Sequence, residues 1–293
     1  MIVFRLFLVL DTFLMALPHT WRKGLITALS SLAHRFAPKR NRIIQENLAF
    51  AFNDQLSLEE KADIERYCYR NLALNFLQVM ENRHNRAEDL AQKVTFENRE
   101  KIDAILAEGR GIIFISAHFG NWEIGASALS ALITPVTSIY KKLDRSEFNP
   151  YLLEARARHG MEMVEKEGAL KHLTRALKQH KPVSLMIDQA SNARYGVAVN
   201  FFGHTTYHAS TSAILSHKYN APIVPLYILT QDEEHFTIRF EEPIEVTEGD
   251  ETAIIEATQR QVETLEQIIR ANPKFWFWCH KRWKGEFPEL YRP

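Results

Sequence analysis

GIIFISAHFGNWEIGASALSAL, Gly111–Leu132, changes character once along its length. Its first half is an uninterrupted apolar run, GIIFIS, of the kind that forms a strand buried on both faces. Its second half, NWEIGASALSAL, repeats its apolar positions at helical intervals. The join carries Gly120, which permits a tight turn, and Asn121, a residue suited to a helix N-cap. A buried strand feeding a helix through a glycine turn is the unit from which parallel α/β sheets are built. The join also carries His118 and Glu123, a titratable pair set immediately after a segment made for burial.

The same alternation continues outward. VTF (94–96), VTSIYK (136–141), MEMV (161–164), PVSLMID (182–188), PIVPLYIL (222–229), TIRF (237–240) and PIEV (243–246) read as strands. REKIDAILAEG (99–109), much of EFNPYLLEARARHG (147–160), ALKHLTRALKQH (169–180), STSAILSHKYN (210–220) and roughly 251–271 read as helices, the last stopped by Asn272-Pro273. A loop is expected from Gln189 to about Tyr207. The fold class is α/β, a mostly parallel central sheet flanked by helices. In such sheets ligands bind beyond the carboxyl ends of the strands, where both His118 and Asp188 fall.

Residues 1–85 read differently. SLEEKADIERYCYRNLALNFLQVM, Ser57–Met80, opens with a capping-box spacing at Ser57 and Glu60 and continues with Ile64, Tyr67, Cys68, Leu72, Phe76 and Met80 at helical intervals. Residues 20–50 are helical and basic. IVFRLFLVLDTFLMAL, Ile2–Leu17, is apolar but interrupted by Arg5, Asp11 and Thr12 and ended by Pro18. It is short for a span of about 20 apolar residues and lacks a clear signal-peptide cleavage site. A helix lying in the membrane interface is the preferred reading, with a helix packed on the protein's own core and a short tilted span as alternatives. The division expected is therefore an N-terminal helical, membrane-associating region, 1–85, and an α/β domain, 86–293.

Composition narrows the function. Lys plus Arg equals Asp plus Glu at 36 each, so net charge selects no partner. Within the first fifty residues, however, seven Lys and Arg face only Asp11 and Glu46, a bias suited to an anionic lipid surface. The two cysteines, Cys68 and Cys279, make no disulfide framework and fit a reducing compartment. No G-x-S-x-G elbow, Walker loop or dinucleotide fingerprint occurs, which argues against serine hydrolases, NTPases and dehydrogenases. Without net positive charge or an RNA-module motif, nucleic acid is not an expected partner. His204 and His208 have a metal-binding interval but no third ligand, so no metal or cofactor is expected.

Residues five apart on one ideal helix point about 140° apart. His118 and Glu123 can therefore converge only if the histidine lies in the turn and the glutamate in the first helical turn. Glu123 could then accept the Nδ1–H of His118 and leave Nε2 free as a base for a substrate hydroxyl. A capping histidine beside a helix-start glutamate is the plainer alternative.

HFGNWE (118–123) resembles the central motif of the late lipid A acyltransferases, the lauroyl and myristoyl transferases of Gram-negative bacteria. YKKLDRSEFNP, ARARHG, IDQASNARYGVAVNFFGH, APIVP and the terminal FWFWCHKRWKG resemble further blocks of that family in the same order. The resemblance implies transfer of a fatty acyl chain from acyl carrier protein to a hydroxyl of a lipid A precursor, without metal, at the cytoplasmic face of the inner membrane. It maps the catalytic histidine and acid onto His118 and Glu123. Two departures, HTTYHASTS after FFG and Tyr140-Lys141-Lys142 in place of a Tyr-Arg-Pro-like run, bear on acceptor and chain length more than on reaction type.

Other candidates follow from that expectation. Asp188 and Gln189 could bind a sugar hydroxyl or orient an arginine, or Asp188 could cap a loop. Arg156 and Arg158, with Lys141 and Lys142, could hold acceptor phosphates, or be solvated helix charges. Asn121 would contact substrate or supply an oxyanion donor. Phe202 and Gly203 could line an acyl channel or form a core turn. Trp276, Trp278 and Trp283 could sit at a membrane interface or on a buried C-terminal strand. The alternatives to lipid A acylation are an O-acyltransferase acting on another membrane acceptor, a glycerolipid or glycolipid, and a non-catalytic membrane lipid-binding protein.

Overall fold

The computed structural model describes residues 2–292. Five helices precede the first strand: α1 (Ile2–Ala16), α2 (His19–Arg35), α3 (Pro38–Phe52), α4 (Leu58–Asn82) and α5 (Ala87–Lys93). Pro18 separates α1 from α2, as its missing N–H and fixed φ dictate. Ser57 and Glu60 form the expected capping box, each side chain meeting the other residue's backbone N–H.

The remainder alternates. β1 (Val94–Glu97), α6 (Arg99–Ala107), β2 (Ile113–Ser116), α7 (Trp122–Leu132), β3 (Thr137–Tyr140), α8 (Asn149–Ala157), β4 (Glu162–Glu165), α9 (Ala169–Lys178) and β5 (Val183–Met186) come first. β6 (Gly196–Phe201), β7 (His204–Ala209), α10 (Thr211–Tyr219), β8 (Ile223–Thr230), β9 (Phe236–Phe240) and α11 (Glu251–Ala271) follow. Seven strands make one sheet in the order β1-β9-β8-β2-β5-β3-β4. Every neighbouring pair is parallel except β8 with β9. The α/β class with a mostly parallel, helix-flanked sheet therefore holds.

β2 lies at the centre and all four of its residues are buried, the result expected of a run apolar on both faces. It delivers the chain to the turn at 117–121. Gly120 has φ +60°, and a Cβ there would lie 2.1 Å from the carbonyl oxygen of Ile228. Gly125 on α7 is also pressed onto β8: a Cβ there would lie 2.4 Å from Cγ1 of Ile228. The two glycines let α7 settle against β8, and the Asn121 side chain accepts the Ile124 N–H at 3.1 Å to start the helix.

Three sequence expectations need correction. The loop expected to Tyr207 contains the antiparallel hairpin β6–β7, closed by Phe202 (φ +57°) and Gly203 (φ +81°). Two successive positive φ values match the twist of hairpin strands. PIEV contributes only an isolated bridge, Ile244 to Ile223. The terminal tryptophan block forms no named strand. It folds as irregular turns between two 3-10 helices, Pro273–Phe275 and Pro288–Tyr291, with one bridge, Trp276 to Phe119, and Trp276, Trp278 and Trp283 are all at most 2% exposed. These three rings sit in the core against Phe201 and Phe202, so the membrane-interface reading fails for them.

Candidate active site

Ser116 and Met186 are register partners at the ends of the parallel neighbours β2 and β5. Two residues further along each strand's path stand His118 and Asp188. The Nδ1 of His118 lies 3.0 Å from Oδ1 of Asp188 and 3.2 Å from Oδ2. The backbone N–H of His118 donates to the same carboxylate at 3.2 Å, and the Trp276 indole N–H donates to it at 3.1 Å. Asp188 is buried while His118 stays about a quarter exposed at its side chain, 26%. Trp122 meets the imidazole edge to face, with centroids 5.2 Å apart, and Phe277 approaches from another side. Nε2 makes no hydrogen bond among the described residues and is the nitrogen left for a ligand.

The electrostatics follow from this contact. Burial alone would lower the His118 pKa, but the Asp188 charge and hydrogen bond, with Glu123 behind them, hold it above the usual imidazole value. Burial would likewise raise the Asp188 carboxyl. The imidazole, the His118 N–H and the Trp276 indole instead bring it down to about 2.

Glu123 does not hold the imidazole, contrary to the sequence expectation. It is buried in the first turn of α7 and accepts a two-point contact from Arg156 on α8, Nη2 to Oε1 at 2.5 Å and Nε to Oε2 at 3.1 Å. Desolvation would lower the Arg156 pKa, and the Glu123 charge more than compensates. The physical reason lies in the sheet. β5 places Asp188 directly beside the turn, whereas Glu123 has already rotated with its helix toward α8. Arg156 keeps Nη1 uncommitted among the described residues.

Other expected site residues divide. Asn121 is a buried N-cap whose side-chain oxygen accepts the Ile124 N–H. Gln189 is exposed next to Asp188 in the chain. Arg158 is exposed and donates to the Asn85 carbonyl at 2.9 Å, outside the dyad. Phe202 packs on Phe52 and Trp278 under the Arg270 guanidinium, and Gly203 is the exposed hairpin turn. Lys142 pairs with Glu165. His204 stacks on Phe50, and His208 is buried with Nδ1 facing the Arg282 guanidinium at 3.2 Å, so the two do not form a metal pair with each other. Among the described residues no three His, Cys, Asp or Glu side chains gather as a metal set.

The sequence reading missed the support beneath the turn. Asn71, Asn75, Gln78 and Asn82 run along one buried face of α4. Asn71 and Asn75 each donate to the Gly120 carbonyl at 3.0 Å, and Asn75 also accepts the Glu123 N–H at 3.2 Å. Asn82 donates to the Glu123 carbonyl at 3.2 Å and the Ser127 hydroxyl at 2.8 Å. The signal was present as four amides at i, i+4, i+7 and i+11. Helix α4 thus supports the turn that carries His118 and the first turn of α7.

A histidine–carboxylate pair at the carboxyl end of a parallel sheet, with one open imidazole nitrogen and a half-buried arginine held nearby by Glu123, is equipped to take a proton from an alcohol and to stabilise a developing anion. Over residues 2–285 the chain matches the bacterial lipid A biosynthesis acyltransferases, and it belongs to that family. It is 23% identical to the lipid A biosynthesis lauroyltransferase of Escherichia coli over 91% of this chain and 86% of that protein. It is 25% identical to the phosphatidylinositol mannoside acyltransferases of Mycobacterium tuberculosis and Mycolicibacterium smegmatis, over 66% and 64% of this chain. The chain spans about 61% of the length of those mycobacterial relatives.

Proposed function

We propose that the protein transfers a fatty acyl group from acyl carrier protein to a hydroxyl of a lipid A precursor at the cytoplasmic face of the inner membrane. The observation that carries the reaction type is the His118–Asp188 contact with Nε2 left open. Nε2 takes the proton of the acceptor hydroxyl as its oxygen attacks the thioester carbonyl. Asp188 holds the ring in the tautomer with the proton on Nδ1 and stabilises the imidazolium that forms. The Arg156 guanidinium, fixed by Glu123, faces the negative oxygen of the tetrahedral intermediate. Collapse breaks the carbon–sulfur bond, and the departing thiolate takes the proton back from Nε2. Glu123 therefore acts through Arg156 rather than through His118.

Membrane seating is supported by the outer faces of two helices. Ile2, Leu6, Val9 and Phe13 on α1, and Trp21, Leu25, Leu29 and Leu32 on α2, are exposed in stripes at helical intervals. Arg5, Arg35 and Lys39 are exposed along the same helices and at the start of α3. Among the described residues no helix is long and apolar enough to cross a membrane. Apolar stripes beside basic residues suit helices lying in an anionic interface.

The lipid A acceptor is favoured over another glycolipid because the Escherichia coli relative matches along nearly the whole chain. The test is the lipid A mass profile of cells with and without the gene. Loss of one acyl chain on deletion supports the acceptor. An unchanged lipid A with a changed glycolipid or glycerolipid moves the reaction to that acceptor.

A further inference from the structure

Asp11 is the one acidic residue of α1, and it is 4% exposed in a helix that is otherwise apolar apart from Arg5 and Thr12. A buried carboxylate costs stability unless it is paired. Its partner is Arg83, at the end of α4, with Nη1 to Oδ2 at 3.0 Å. Arg83 also reaches α8: Nη2 lies 2.9 Å from Oε2 of Glu154, and the guanidinium covers the Tyr151 ring at 4.3 Å. Phe7 of α1 packs edge-on to the same Tyr151 ring, with centroids 4.8 Å apart. Leu14, Leu77, Met80, Tyr151 and Ala155 close one buried cluster shared by α1, α4 and α8. Arg156, which grips Glu123, is the next residue along.

We infer that Asp11 is a positioning residue for Arg156: through Arg83, Glu154 and Tyr151 it ties the apolar-faced helix α1 to the helix that presents the guanidinium to the site. This rests on the proposed acyl transfer for its kinetic consequence but not for its structural one. The outer face of α1 offers apolar side chains, and its inner face holds α8. A helix needed only as a greasy anchor would have no use for a buried carboxylate at position 11.

The test uses the full chain with Asp11→Asn and Asp11→Glu, read by hydrogen exchange over α8, by partition onto vesicles containing anionic phospholipid, and by acyl-transfer kinetics. Asp11→Asn is expected to speed exchange across Asn149–Ala157 and to lower kcat about tenfold, because small misplacements of a catalytic group cost rate. KM and vesicle partition should stay within about twofold, and Asp11→Glu should restore most of kcat. Asp11→Asn combined with Arg156→Lys should lose little beyond Arg156→Lys alone, since coupled residues are not additive. Unchanged exchange over α8, or losses that multiply in the double variant, overturns the inference. If the wild-type chain transfers no acyl group yet Asp11→Asn loosens α8, the tie stands and the functional reading falls.

Discussion

His118 and Asp188 each stand two residues beyond a register pair, Ser116 and Met186, on adjacent parallel strands, and their side chains meet at 3.0 Å. The dyad is thus a product of strand order. β5 inserts between β2 and β3, so the carboxylate that orients the imidazole arrives from 70 residues away in the chain. Glu123, five residues away, is given to Arg156.

This arrangement separates the roles of the two carboxylates by pH. The His118 pKa is raised, so the imidazole is protonated and inactive as a base at low pH. Activity should therefore rise with pH, with a midpoint above about 6.5, the ordinary imidazole value. Asp188, Glu123, Arg156 and the neighbouring His280 are the charged or titratable groups that act on it or are acted on by it. Asp188→Asn removes the largest raising influence and leaves desolvation, so the midpoint should move down. The plateau should also drop by about a hundredfold or more, because the ring loses its held tautomer. Glu123→Gln should shift the midpoint less and lower kcat through a loosened Arg156. A pH–rate profile of the two variants checks this, and a larger midpoint shift for Glu123→Gln would reverse the assignment.

The amide ladder of α4 should behave as support for the turn. Asn75→Leu leaves the Gly120 carbonyl with one amide donor and the buried Glu123 N–H without its acceptor. Each such loss costs about 1–3 kcal/mol. Denaturant unfolding should report a destabilisation in that range with unchanged m-value. Gly120→Ala should be worse, because the added methyl meets a backbone carbonyl that cannot move aside. Stability equal to wild type in both variants would show that the turn does not depend on these contacts.

Seating on lipid should depend on the outer stripes and not on the tryptophan block. Replacing Leu25 and Leu29 with Ser removes apolar surface worth about 1.5–3 kcal/mol per side chain on full burial. Partition onto anionic vesicles should fall by an order of magnitude or more and weaken further with salt. Partition unchanged in Leu25→Ser/Leu29→Ser would remove α2 from the membrane contact.

Much of this was legible in the sequence where the signal is local. The strand–turn–helix at 111–132, the capping box at Ser57 and Glu60, and the stop at Asn272-Pro273 rest on neighbouring residues, and they form as read. The hairpin at 196–209 escaped because the first residue of its turn is Phe202, a type that local propensity disfavours at positive φ, and its burial against Phe52 holds it there. The partner of His118 escaped for a different reason. Sequence places two residues at strand ends, but only strand order makes them neighbours, and the nearest carboxylate along the chain is not the nearest in space. Arg156 could be named a candidate cation, yet its role toward Glu123 depends on how α8 crosses α7.

The proposed chemistry depends most directly on the His118 imidazole. A single-turnover assay with labelled acyl carrier protein donor, comparing wild type with a His118→Ala protein of unchanged unfolding midpoint, isolates the chemical step. The expected result is a rate lower by roughly 10²- to 10⁴-fold with donor and acceptor still bound. Transfer at close to the wild-type rate by the folded His118→Ala protein would contradict it.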